Sequence, residues 1–348
     1  MKKAPGGVPF FFSQGGETLR LQVRSQFAGN RCLTPHLDGA KQKSQQQTDK
    51  ILNQGATSEL SKLAQTLTSM TASNSQEAVL QGSRILARIR MTFIMLTISI
   101  LVVLSLLLRL VFTFLPTHLF LRFNVRFVIY PFSRLLMRIV GVKLVVQGKI
   151  PSSRHLIVSN HQGILDSLLL MALSPCMVIS NSLIRNMKGI GAVMELLGFV
   201  FVDRTRRKSI VELLQPAISM MAQSKVNMGF FPEGKSSDGI ELLPFHAPFF
   251  KIAIDSDSGV QPLAFRWTHT NGHSLSPAQR LTYTYLVKHG SVVEHLSNLL
   301  GLRKKVLVVK VLETISAEEI AEKNWTRKEV SQRSEELIRA AMNDDAGW

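Results

Sequence analysis

The plainest pattern along the chain is a block from which polar positions almost vanish. Residues 91–108 carry no charge, and their only polar members are Thr92, Thr97, Ser99 and Ser105. Eighteen helical residues rise about 27 Å, close to the hydrocarbon thickness of a bilayer. Apolar character resumes after Arg109 and continues to Pro116. A buried core helix would show the same composition, but apolarity all round between basic flanks predicts a membrane helix.

Downstream, Arg122, Arg126, Arg134 and Arg138 recur in multiples of four among Phe123, Phe127, Phe132, Leu135, Leu136 and Ile139. That spacing gathers the arginines on one helical face, with Pro131 predicted to break the segment into two short helices. Such helices lie in the membrane interface rather than crossing it. From residue 142 the pattern changes. Short apolar runs at 142–147, 156–159, 177–179, 199–202, 226–231, 259–265 and 305–311 predict strands. Helical periodicity is expected at 167–173, 190–197, 208–222 and 326–342, the last opening on the capping-box pair Thr326 and Glu329. Strands alternating with helices argue for an α/β layer fold. Residues 1–80 are polar and rich in Gln, Ser, Thr and Gly, a composition that predicts disorder with a transient helix near 56–70.

Charge sharpens the picture. The 348 residues carry a formal net charge of +17, which calls for a polyanionic partner. No acidic residue occurs between Glu77 and Asp166, where arginines and lysines bracket the apolar block. Basic residues so placed suit lipid headgroups and not a nucleic-acid groove. The two cysteines, Cys32 and Cys176, have no metal-ligand spacing and build neither a disulfide framework nor a zinc site. This fits a reducing, cytosol-facing catalytic part. The start, Met1-Lys2-Lys3 followed by Pro5, Gly6, Gly7 and Pro9, does not read as a signal peptide.

Two segments carry chemistry. Ser159-Asn160-His161-Gln162-Gly163-Ile164-Leu165-Asp166 follows an apolar strand and precedes an apolar helix. On a continuous helix His161 and Asp166 would stand about 140° apart; a turn relaxed by Gly163 brings them together. Asp166 would then fix the imidazole tautomer and leave the other nitrogen as a base. The pair is equally compatible with Asp166 as a helix N-cap and His161 as a satisfied loop residue. The second segment, Phe230-Phe231-Pro232-Glu233-Gly234-Lys235-Ser236-Ser237-Asp238-Gly239, also ends a strand. Glu233 suits an acceptor hydroxyl, Gly234 a close backbone approach, and Lys235 with Ser236 a phosphate. Taken alone, the commoner reading is an ordinary polar turn.

Together the two segments resemble motifs of the glycerolipid acyltransferase family, which includes 1-acyl-glycerol-3-phosphate acyltransferases. The family's N-H-x-x-x-x-D is matched by Asn160, His161 and Asp166, and its G-x-x-F-I-x-R by Gly198-Phe199-Val200-Phe201-Val202-Asp203-Arg204. Its F-P-E-G is matched by Phe231-Pro232-Glu233-Gly234, and its V-P-type strand by Val260-Gln261-Pro262-Leu263. The likeness covers about residues 140–315. Two departures stand out. The family's Thr-Arg-Ser is replaced by Lys235-Ser236-Ser237, and His246 stands where Lys or Arg is usual. The Ser-Ser-Asp-Gly run is similar to a bacterial subgroup that includes acyltransferases for lyso-ornithine lipids.

The resemblance implies a mixed α/β sheet flanked by helices, preceded by an N-terminal membrane helix and interfacial helices. The expected organisation is an extension at 1–80, membrane-anchoring helices at 84–141, an acyltransferase domain at 142–315 and a helical segment at 316–348. It implies transfer of an acyl group from acyl-CoA or acyl carrier protein to 1-acyl-sn-glycerol-3-phosphate or, alternatively, to a lyso-ornithine lipid. His161 would be the general base, oriented by Asp166; Glu233 would hold the glycerol portion, and Arg204 with Lys235 the phosphate. No metal or resident cofactor is implied, nor any nucleic-acid partner. The membrane would be the inner or plasma membrane of a bacterium, with the catalytic part facing the cytoplasm. A non-catalytic lipid-binding membrane protein is the competing class, which the His161–Asp166 pair argues against.

Overall fold

The computed structural model describes residues 80, 82–152, 154–181, 185, 190–202, 210–285 and 291–348. The extension expected over 1–80, with its helix near 56–70, therefore lies outside the described residues except for Leu80.

Helix α1 (Arg84–Val111) starts at Ser83, whose hydroxyl accepts from the Leu86 N–H, and takes in the whole uncharged block. Ala87, Thr97, Leu101 and Ser105 form a buried stripe on it, while Phe93, Leu96, Ile100, Val103, Leu107 and Leu110 are exposed. The helix packs chiefly on the segments Tyr130–Val140 and Val292–Gly301 of the folded unit. Two of the four polar residues in the block, Thr97 and Ser105, thus face protein. Ser105 donates to Asn124 Oδ1 at 2.8 Å, and Asn124 donates to Leu196 O at 2.9 Å.

Helix α2 (Thr117–Asn124), one π-helical turn (Val125–Ile129) and α3 (Tyr130–Val140) follow without interruption. The break expected at Pro131 does not occur. The Tyr130 N–H reaches back to Val125 O across the wider π turn, and Pro131 falls at the start of α3. There its missing N–H leaves no gap in the helix.

The strands are β1 (Val142–Gln147), β2 (His155–Ser159), β3 (Cys176–Asn181), β4 (Phe199–Val202), β5 (Asn227–Phe230), β6 (Gly259–Thr270), β7 (His273–Ser274) and β8 (Lys305–Val311). They form one sheet in the order β1-β8-β6-β2-β5-β3-β4, with β7 paired to β6. The run from β6 to β4 is parallel, β1 is parallel to β8, and the two groups meet antiparallel at β6–β8. The helices around it are α4 (Leu165–Leu173), α5 (Ile190–Leu196), α6 (Ile210–Ser224), α7 (Lys251–Asp255), α8 (Val292–Gly301), α9 (Ala317–Glu322) and α10 (Arg327–Asn343). This is the mixed α/β fold expected from the alternation.

Strand β6 outruns its expected end at 265. Its first half pairs with β2, and Leu263–Thr270 pairs with β8 across a bulge between Trp267 and His269. Helix α10 buries Val330, Ser334, Ile338 and Met342, packing on β6 and on the 3₁₀ turn Ala247–Phe250. The foot of α1 is fixed by cations. Arg90 donates to Leu300 O at 2.8 Å, to Arg303 O at 2.6 Å and to Leu302 O, and Lys305 Nζ donates to Leu299 O and Leu302 O, each at 2.8 Å. Carbonyls in the last turn of α8 and just beyond it are thereby satisfied.

Candidate active site

Strands β2 and β5 are parallel neighbours, with Val158 opposite Phe230. The two chemical segments therefore leave the same edge of the sheet side by side, at the carboxyl ends of the strands, where open α/β sheets form crevices. Asn160 continues β2 with its side chain. Its amide donates to Phe265 O and accepts from Phe265 N, both at 3.0 Å. This bidentate tie to β6 fixes where the chain turns away into His161.

The turn closes on Asp166. One oxygen of its carboxylate, Oδ2, accepts from Gln162 N at 2.6 Å and Gly163 N at 2.8 Å, and lies 2.8 Å from His161 Nδ1. The N-cap alternative does not hold, since Ile164 caps the helix and Asp166 lies inside its first turn; the carboxylate ties down the preceding loop and lies against the ring. A Cβ at Gly163 would lie 2.8 Å from Tyr283 O, so the tightness of this turn requires glycine. A carboxylate beside Nδ1 favours the tautomer with the proton on Nδ1 and the lone pair on Nε2. The imidazole stacks on Phe231 at 4.2 Å and 14°. Nε2 has no hydrogen-bond partner among the described residues, and the side chain keeps 21% of its surface.

Glu233 is built into the junction between the two loops. It is 2% exposed, and its oxygens accept from His161 N at 2.6 Å and Leu243 N at 3.0 Å. Each oxygen is engaged by a backbone N–H, so the carboxylate joins the two loops. Burial pushes its carboxyl up to about 7, against the pull of the Leu243 and His161 N–H groups. Ser237 strengthens the same junction, its N–H and hydroxyl both donating to His161 O at 2.8 and 3.1 Å. Gly234 and Ser236 face the cavity described next. Lys235 is exposed and has no ion-pair partner among the described residues. Arg204 lies outside the described residues, as does Asp203.

From His161 a cavity of about 580 Å³ runs between the sheet edge and the helices. Ile98 and Leu101 of α1, Leu136 of α3, Leu168 and Met171 of α4 and Leu296 of α8 give it an apolar wall. Its size falls in the range of roughly 300–1,000 Å³ common for ligand pockets. An imidazole on the lining of an apolar chamber can take a proton from a hydroxyl beside an alkyl chain. Sequence reasoning gave no part to Phe231 as a ring platform, to Ser237 or to the β6 tie of Asn160. All three lie inside the two recognised segments, but only the fold shows what they touch.

An acyltransferase family model matches residues 142–266. A 1-acyl-sn-glycerol-3-phosphate acyltransferase of Neisseria gonorrhoeae is 30% identical over 191 residues, spanning 55% of this chain and 70% of that protein. A lyso-ornithine lipid O-acyltransferase of Rhodobacter capsulatus is 28% identical over 143 residues, covering 40% of this chain and 51% of the other. The crystal structure of the 1-acyl-sn-glycerophosphate acyltransferase of Thermotoga maritima superposes with a TM-score of 0.53. That match has 20% identity and covers 76% of this chain and 96% of the other, so it speaks to the fold.

Proposed function

Because the chain belongs to the glycerolipid acyltransferase family and is an acyltransferase of lysophospholipid type, we propose that it acylates 1-acyl-sn-glycerol-3-phosphate, giving phosphatidic acid, with His161 as general base. The observation that carries this reading is the imidazole of His161, held through Nδ1 by Asp166 at 2.8 Å on the lining of an apolar cavity. Nε2 takes the proton of the acceptor hydroxyl as its oxygen attacks the thioester carbonyl of acyl-CoA or acyl carrier protein. The tetrahedral intermediate expels the thiolate, to which the imidazolium returns the proton. A base placed in this way contributes roughly 10²–10⁴-fold. The acyl chain lies along the apolar wall, and the donor is a substrate, so the reaction draws on no resident cofactor.

Lys235 and Ser236 are assigned to the acceptor's phosphate, together with Arg204 at the end of the second motif. Glu233 is assigned to the loop junction instead. Helices α1–α3 are assigned to the membrane: between Phe93 and Leu107 the exposed side of α1 is apolar except for Ser99, with Arg88 and Arg109 exposed on either side, and its inner side rests on the folded unit. Such a helix lies partly immersed with its domain beside it, rather than leading to a distant domain. Soluble acyl donors place the active site on the cytoplasmic side.

A lyso-ornithine lipid is the second acceptor reading, favoured by the match to the Rhodobacter enzyme and by Lys235-Ser236-Ser237. The purified protein, given acyl-CoA or acyl carrier protein and a panel of lyso-lipids, decides. Preferential formation of phosphatidic acid supports the proposal. Preference for the phosphate-free acceptor replaces it with the second reading, and absence of transfer to any acceptor overturns both.

A further inference from the structure

We propose that Glu335 and Arg339 of α10 are positioning residues for His161, acting through the 238–246 loop and Glu233. The inference rests on His161 as general base. It concerns a helix beyond residues 142–266, the part matched by the family model.

The orientation of Glu233 depends on Leu243. One carboxylate oxygen is fixed by His161 N, and the other by Leu243 N, so a shift of Leu243 moves the support beneath the histidine. The backbone on either side of that N–H is held by α10. Arg339 donates to Leu242 O at 3.2 Å, and Phe245 N donates to Glu335 Oε2 at 2.9 Å. The two side chains are themselves paired at 2.7 Å, one helical turn apart. His246 N closes the loop by donating to Pro232 O at 2.8 Å, next to Glu233.

The pair is ill placed to serve stability alone. Arg339 retains 43% of its side-chain surface and Glu335 26%, and pairs so exposed contribute little to folding. What they do hold is backbone that would otherwise face solvent, on a helix whose buried side is packed against β6. A displacement of about 1 Å at a reacting group costs roughly 10²-fold, so a modest slackening of the loop reaches the chemistry.

The test uses the full chain in detergent or nanodiscs, with activities expressed per folded enzyme. E335A and R339A lower kcat about tenfold while KM for both substrates stays within about twofold. E335Q restores only part of the rate, since its amide oxygen still accepts from Phe245 N but its NH₂ no longer pairs with Arg339, and E336A, one residue along on an exposed position, leaves it unchanged. In a double-mutant cycle, E335A adds little to the loss already caused by E233Q, because both act on one route. Wild-type kcat in folded E335A and R339A overturns the proposal, as do additive losses in the cycle. If H161A is inactive while E335A is normal, only the positioning role fails. If H161A itself turns over normally, the reading of the base fails first.

Discussion

The backbone N–H of His161 stands 2.6 Å from Glu233 Oε1, so the two motif loops are joined at the residue that would do the chemistry. The carboxylate is 2% exposed and its second oxygen is engaged by Leu243 N. Glu233 thus ties the backbone of His161 to that of Leu243.

That junction sets the expected behaviour of E233Q. An amide must turn its NH₂ toward either His161 N or Leu243 N, placing donor against donor. Leaving such a buried group unsatisfied costs about 1–3 kcal/mol. The mutant should lose about tenfold or more in kcat, whereas an effect confined to KM for the acceptor would return Glu233 to substrate binding.

The pH dependence of stability follows from the same carboxyl, raised from its usual 4.5 to about 7 by burial. Between these values the folded state keeps a proton that the unfolded chain has released. Its contribution to stability is therefore full below about pH 4.5 and lost as pH rises through about 7. Lys305, lowered to about 7 by burial and by Arg90, behaves differently: its penalty is full below about pH 7 and fades as pH rises toward 10.5. Subtracting E233Q from wild type removes the lysine. The difference in denaturant midpoint should decline from pH 4.5 to 7, and a flat difference would show that Glu233 ionises normally.

Much of this site could be read from the chain. Apolar runs ending in Asn160-His161 and in Pro232-Glu233-Gly234 placed both loops at strand ends, and Gly163 allowed the turn that brings Asp166 to His161. What could not be read are relations set by distant packing. Glu335 and Arg339 look like an ordinary i,i+4 pair until α10 folds back on the 242–245 backbone. Glu233 looks like a free carboxylate until Leu243 covers it. Pro131 looked like a break because the sequence does not announce a π turn. Leu296 joins the cavity wall only because α8 packs on α1.

H161A should lose roughly 10²–10⁴-fold in kcat and keep its fold, since the ring's side-chain partners are Asp166 and Phe231. D166N should fall with it, because the amide oxygen that would replace Oδ2 carries no charge to stabilise the imidazolium formed when Nε2 takes the proton. Turnover near wild type in either variant removes the proposed base.

Blocking the cavity should sort donors by length. Ile98 lines it from α1, and I98W would fill space that only a long chain occupies. kcat/KM should drop steeply for long acyl thioesters and little for short ones. A uniform drop would mean that the acyl chain lies elsewhere.

The foot of α1 offers a separate test. Arg90 reaches three carbonyls at the end of α8, passing so close to Gly141, at φ 83, that a Cβ there would collide with the guanidinium. Hydrogen bonds to a charged group contribute about 1.5–3 kcal/mol. R90A and G141A should lower the melting midpoint and, by loosening one wall of the cavity, raise KM for long-chain donors. A melting loss with unchanged KM would separate the cap from the cavity.

The last prediction concerns how the protein meets the bilayer. Phe93, Ile100 and Leu107 are 54%, 44% and 54% exposed and recur every seven residues, so they share the outer face of α1. The buried stripe of Ala87, Thr97, Leu101 and Ser105 faces the other way. If the outer face alone is immersed, F93E/I100E/L107E should move the protein to the soluble fraction with its fold intact, still active on detergent-dispersed substrate. High salt should leave the wild type in the membrane, because screening weakens the arginine contacts but not apolar burial. A helix that crosses the bilayer behaves differently. Three glutamates would then block insertion and leave misfolded protein, and a label attached near Phe114 would be reached from the far side. Release of active triple mutant favours the in-plane arrangement; retention in the membrane, or labelling from the far side, refutes it.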